Sequence, residues 1–152
     1  EIKYDEHGLT PGARSHSVKP GVLEISLERG GCFGTCPQYA VKITSDGKVE
    51  YFGGCFVPRL GNHTGRVPEW KVLQLSEFVR DAGVDQMHDD YEYDVSDSET
   101  VYTAFVIDGK QKLIRNYANS GPSSLWAIEQ LIDKLLAETV WETTDKKSRA
   151  NN

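Results

Sequence analysis

Two stretches of the chain follow one pattern, and the pattern leaves few folds open. YAVKITSDGKVEYF and VYTAFVIDGKQKLIRNY each alternate apolar and polar residues on both sides of an Asp-Gly pair, as two half-buried strands joined by a tight turn do. Each is followed by a proline-led segment with apolar residues at helical spacing. PEWKVLQLSEFVRDA repeats Val72, Leu75, Phe78/Val79 and Ala82, with Gly83 to end the helix, and PSSLWAIEQLIDKLL repeats Leu125, Ile128, Leu131/Ile132 and Leu135. Proline suits a first helical turn, where its missing N–H has no partner to lose. A further strand, VLEISLE from Val22, precedes both units. The sequence therefore predicts an α+β fold. It has an antiparallel sheet of about five strands, one strand plus two hairpin-then-helix units, with two helices packed on one face because each has one apolar stripe to bury.

The first hairpin also predicts its register. A three-residue loop Ser45-Asp46-Gly47 with Gly47 left-handed sets Ile43 opposite Val49, Lys42 opposite Glu50 and Val41 opposite Tyr51. A two-residue loop would set Ile43 against Glu50, so the first register is preferred for pairing like with like and charge with counter-charge. Continued outward, it places Cys36 opposite Phe56 and Cys55 opposite Pro37, unless Gly53-Gly54 breaks it.

At 152 residues and 38% hydrophobic content the chain fits one domain with a genuine core. The expected organisation is an extended arm over 1–21, the α+β domain over 22–141 and a polar tail over 142–152. No apolar run reaches the length of about 18 residues that a spanning helix needs, so the chain is not expected to span a membrane. The net charge is -6, and the window from Asp85 to Glu99 holds seven carboxylates and no Lys or Arg, more than the whole excess. No Lys/Arg stripe offers nucleic acid a face. The acidic window misses the calcium-loop pattern, since counting from Asp90 the sixth position is Val95 and the twelfth Val101. It reads instead as a solvated loop or as a docking patch for protein, Asp89, Asp90, Tyr91, Glu92, Tyr93 and Asp94, with aromatics among charges as interfaces have.

GCFGTCP, residues 31–37, places two cysteines and two glycines in seven positions. A Cys32 to Cys36 disulfide would pin a tight loop, with Phe33 as a hydrophobic plug and Gly34 permitting the turn. Closing so short a loop contributes somewhat under about 3 kcal/mol in the chain-entropy model. The alternative is a metal or thiol-redox site using Cys32, Cys36, Cys55 and His63. Its spacing lacks paired metal-binding knuckles, and the hairpin register points Cys36 and Cys55 to opposite faces. His63, in the glycine-flanked loop GNHTG, is expected to hydrogen-bond local backbone. Trp70 and Trp126, early in the helices, are placed to lie on the sheet and Trp141 to close the core edge; an exposed Trp would instead mark a binding face.

GCFGTCPQYAVKITSDGKVEY, followed by Gly61-Asn62-His63-Thr64-Gly65 and a proline-started helix, resembles a mainly bacterial family of small domains of unknown function. The resemblance covers about residues 22–141. It implies the fold and an exported setting, and it transfers no activity; Cys55 stands outside the shared pattern. No catalytic set assembles and no cofactor is called for. The function expected is a non-enzymatic interaction domain or accessory subunit of a larger periplasmic or extracellular assembly, its partner contacting the terminal arms and the acidic 85–99 loop.

Overall fold

The computed structural model describes residues 21–143. The expected arm over 1–20 and the tail from 144 onward lie outside the described residues. Eight strands form one sheet: β1 Val22–Arg29, β2 Gln38–Thr44, β3 Lys48–Cys55, β4 Gly61–Arg66, β5 Asp90–Tyr91, β6 Thr100–Ile107, β7 Lys110–Tyr117 and β8 Val140–Trp141. Their order is β5-β7-β6-β1-β2-β3-β4-β8. Helix α1, Glu69–Asp81, follows β4, and α2, Ser123–Ala137, follows β7. Pro68 and Pro122 immediately precede them.

The expected five antiparallel strands were an undercount of a mixed sheet. β4 reads GNHTGR and carries no apolar alternation, because its sheet partners supply the core contacts: Gly61, His63 and Gly65 pair with Gly53, Tyr51 and Val49. β5 and β8 are two residues each, too short to show a period. β5 runs parallel to β7, and all other pairs are antiparallel.

The first hairpin has the expected register, Ile43 opposite Val49, Lys42 opposite Glu50 and Val41 opposite Tyr51. Gly47 sits at φ +90, and a Cβ there would lie 2.3 Å from the Val67 carbonyl oxygen, so only glycine lets the chain entering α1 pass over the turn. The outward continuation fails at Gly54: Tyr39 pairs with Gly53 but Gln38 pairs with Cys55, a bulge that moves the cysteine one position from the expected partner. In the second hairpin Asp108 and Gly109 are both at positive φ, as a two-residue turn matching strand twist requires.

Alternate residues of the central strands face the helices. Ile25 and Leu27 of β1, Val41 and Ile43 of β2, Phe105 of β6 and Ile114 of β7 meet Val72, Leu75 and Val79 of α1 and Leu125, Ile128 and Ile132 of α2 in one buried cluster. Trp70 and Trp126 are about half exposed on the outer faces of their helices, 58% and 48%, so neither lies on the sheet. Their positions fall off the apolar stripe that Val72/Val79 and Leu125/Ile132 define. Trp141 does pack at the core edge.

The strand directions sort the loops to two ends. Turns 45–47 and 108–109 share one end, where Val67 N–H, just before α1, donates to the Gly47 carbonyl and Arg80, in the last turn of α1, pairs with Asp108. The cysteine loop 30–37, the loop 56–60 and the acidic loop 92–99 share the other.

Candidate functional site

Cys32 and Cys36 are joined as a disulfide with Cα atoms 5.7 Å apart. The loop that they close leaves β1 at Gly30, whose N–H donates to the Thr100 carbonyl, and enters β2 at Gln38. Gly34 within it has φ +146, a conformation that glycine alone adopts readily. Phe33 is not the expected plug. It is 88% exposed, because the loop projects past the end of the sheet and the core below is closed by other residues. Phe56, at a positive φ of 55, and Leu60 are exposed at the same end.

Beneath this rim lies a polar network that the strand pattern carries into the core layer. Arg29 continues the inward phase of Ile25 and Leu27, and its side chain is only 10% exposed. Its guanidinium donates to the Tyr39 hydroxyl at 2.8 Å, to Glu99 at 2.8 Å and to Asp133 of α2 at 2.7 Å, while the Tyr39 hydroxyl donates to the other Asp133 oxygen. Burial opposes the charge on Arg29, but the hydrogen bond to Asp133, the charges around it and Glu99 outweigh that and hold the guanidinium protonated. Burial, and then the Asp133 carboxylate, push the Tyr39 phenol well above its ordinary value. These groups keep their protons near neutral pH, and the network clamps β1, β2, the 92–99 loop and α2 together. One turn earlier on α2, Glu129 is buried and accepts from Asn116 Nδ2 at 3.0 Å; burial raises its carboxyl above the usual range.

A cleft of about 370 Å³ opens beside this network. Tyr39, Tyr51, Trp141, Leu136, Ala137 and Asp133 line it, with the exposed Pro37, Phe56, Pro58 and Arg59 at its mouth. Its aromatic wall is continuous: Tyr39 and Tyr51 ring centroids lie 6.0 Å apart, Tyr51 and Trp141 5.4 Å apart. The Arg59 guanidinium stands 4.8 Å over the Trp141 ring, and the Tyr51 hydroxyl donates to the Arg59 carbonyl at 3.0 Å. Such a hollow suits an apolar or aromatic group.

The residues of the alternative metal or thiol set are not brought together. Cys32 and Cys36 are bonded to each other, Cys55 is free and exposed, and the His63 Nε2 hydrogen bonds to the Leu60 carbonyl at 2.7 Å. His63 lies in β4 rather than in a loop, with Tyr51 and Trp141 as ring neighbours. Among the described residues no group of three or more His, Cys, Asp or Glu could hold a metal ion. The acidic window is less free than its charge suggests. Asp89 pairs with Lys112, and Asp90 and Glu92 with Arg115, both from β7; Tyr91 packs against the core, whereas Tyr93 and Asp94 are exposed.

The open face of the sheet carries a wider hollow of about 730 Å³. It follows two rows across the strands, Leu113-Ala104-Ser26-Lys42-Glu50-Thr64 and Tyr102-Glu28-Ala40-Phe52-Asn62. Ser26, Ala40 and Ala104, with small side chains, line its middle strands. Its polar members and the Lys42–Glu50 ion pair at 3.3 Å match the solvated face of an antiparallel sheet.

The chain belongs to the family described as Domain of unknown function (DUF6438), whose profile matches residues 23–136. No curated protein matches its sequence.

Proposed function

We propose that this domain is a non-enzymatic interaction module, an accessory subunit of a larger assembly, which docks through the end of the sheet that carries the disulfide loop. One observation carries the reading. A covalent bridge closes the loop that presents Phe33, and that ring is 88% exposed. A buried ring would explain the bridge as support for the core. An exposed ring on a stapled loop is instead a pre-ordered anchor, for which binding costs little conformational entropy. Phe56 and Leu60 extend the apolar surface, and the exposed Tyr93 and Asp94 place part of the acidic patch at the same end. The bridge itself favours an oxidising compartment, periplasmic or extracellular.

The test is size-exclusion chromatography of extracts from the native host, comparing the tagged wild-type chain with Phe33→Asp. The wild type is expected well above monomer mass and the variant at monomer mass with unchanged thermal stability. Coincident profiles overturn the reading. A thiol-redox role has one supporting observation, that the bridged pair flanks three exposed residues, Phe33 to Thr35. A reduction potential above about -250 mV in glutathione buffers favours it, and one below about -300 mV favours a structural bridge.

A further inference from the structure

The geometry points to a second copy of this chain as an occupant of the aromatic cleft, with Phe33 of each copy seated in the cleft of the other. This rests on the docking end proposed above and names one partner for it. Knob and hollow lie close together in the chain, since Pro37 at the cleft mouth follows Phe33 by four residues, directly after the bridged Cys36. The cleft has room for a benzyl side chain, and the Tyr39 ring with the exposed Phe56 and Pro58 of its lining can meet an incoming ring. Because knob and hollow share one end of the sheet, a single two-fold rotation seats both, as a closed, self-complementary contact requires.

Charge supports the same arrangement. Arg59 stands exposed at the cleft mouth, on the β3–β4 side, and forms no ion pair among the described residues; Asp94 and Asp97 are exposed on the β6–β7 side. A two-fold axis along the sheet normal brings the β3–β4 side of one copy against the β6–β7 side of the other, so Arg59 faces carboxylates twice. With so few anchors the pairing is expected to be weak and concentration-dependent.

Sedimentation equilibrium of the purified chain with its bridge intact tests this. The weight-average mass should rise from the 17.0 kDa of one chain toward twice that value as concentration climbs into the hundreds of micromolar. Phe33→Ser, which removes the knob, and Ala137→Trp, which fills the hollow, should each weaken pairing at least tenfold. An equimolar mixture of the two variants should pair more strongly than either alone, since one intact knob and one intact hollow remain. Thermal melts of both variants confirm folding, and Phe33→Ser carries the test alone should Ala137→Trp fail to fold. A mass fixed at one chain across the range, or a dimer indifferent to Phe33→Ser, overturns the inference. The first of these leaves the shift expected in native extracts standing, so the two readings fail separately.

Discussion

Replacing both bridging cysteines, Cys32→Ser with Cys36→Ser, separates what the bridge contributes from what Phe33 contributes. The bridge closes five residues, 32–36, and loop-closure entropy for that length gives about 2 kcal/mol. A domain of about 120 residues unfolds with an entropy near 250 cal/mol/K, so the melting temperature should fall by about 8 °C. Phe33 itself should contribute little: full burial of a phenylalanine is worth about 1.5–3 kcal/mol, and a ring that is 88% exposed keeps about a tenth of that. Phe33→Ala should therefore change stability by less than about 0.5 kcal/mol. Thermal unfolding by circular dichroism, without reductant, reads both. A loss above about 2 kcal/mol for Phe33→Ala would show that the ring packs in the core after all and would refute the reasoning that leads to a docking end.

Other perturbations probe the parts beneath it. Arg29→Met leaves Asp133 and Glu99 facing a buried gap; because those carboxylates are about a third exposed, the expected cost is about 2–3 kcal/mol in urea unfolding, below that of a fully buried pair. Glu129 has a folded pKa raised above its ordinary 4.5, so its contribution to stability is complete below the unfolded value and is lost as pH rises through the folded one. Glu129→Gln keeps an acceptor for Asn116 and does not titrate, and its stability relative to wild type should grow as pH rises above the ordinary carboxyl value of 4.5; a constant difference contradicts the assignment. Gly47→Ala forces a Cβ toward the Val67 carbonyl at positive φ and should cost about 2 kcal/mol or more, whereas Gly109→Ala, with positive φ but open space around it, should cost about 1 kcal/mol.

The parts of the fold governed by local chemistry were legible in the sequence. Gly47 chose the turn, the turn chose the register, and proline with apolar spacing located both helices within a residue of where they begin. β4 was not legible, because a strand whose inward positions are Gly61, His63 and Gly65 has no hydrophobic period; its membership is decided by β3 beside it. The site was half legible. GCFGTCP marked the loop but not the direction of Phe33, which depends on no described element folding over the sheet end. Arg29 carried an overlooked signal: VLEISLER puts a charge in the same phase as Ile25 and Leu27, and a charge in a core phase demands buried partners. Those partners, Tyr39, Glu99 and Asp133, lie 10, 70 and 104 residues away, beyond any local pattern.

The most direct measurement is site-specific photo-crosslinking in the native host, with Phe33 replaced by p-benzoylphenylalanine and, in a parallel strain, Lys110 at the opposite end of the sheet replaced in the same way. Discrete, light-dependent adducts from position 33 and none from position 110 are the predicted result. Equal labelling from both positions, or no adduct from position 33, would contradict the claim that the disulfide-loop end is where this domain binds.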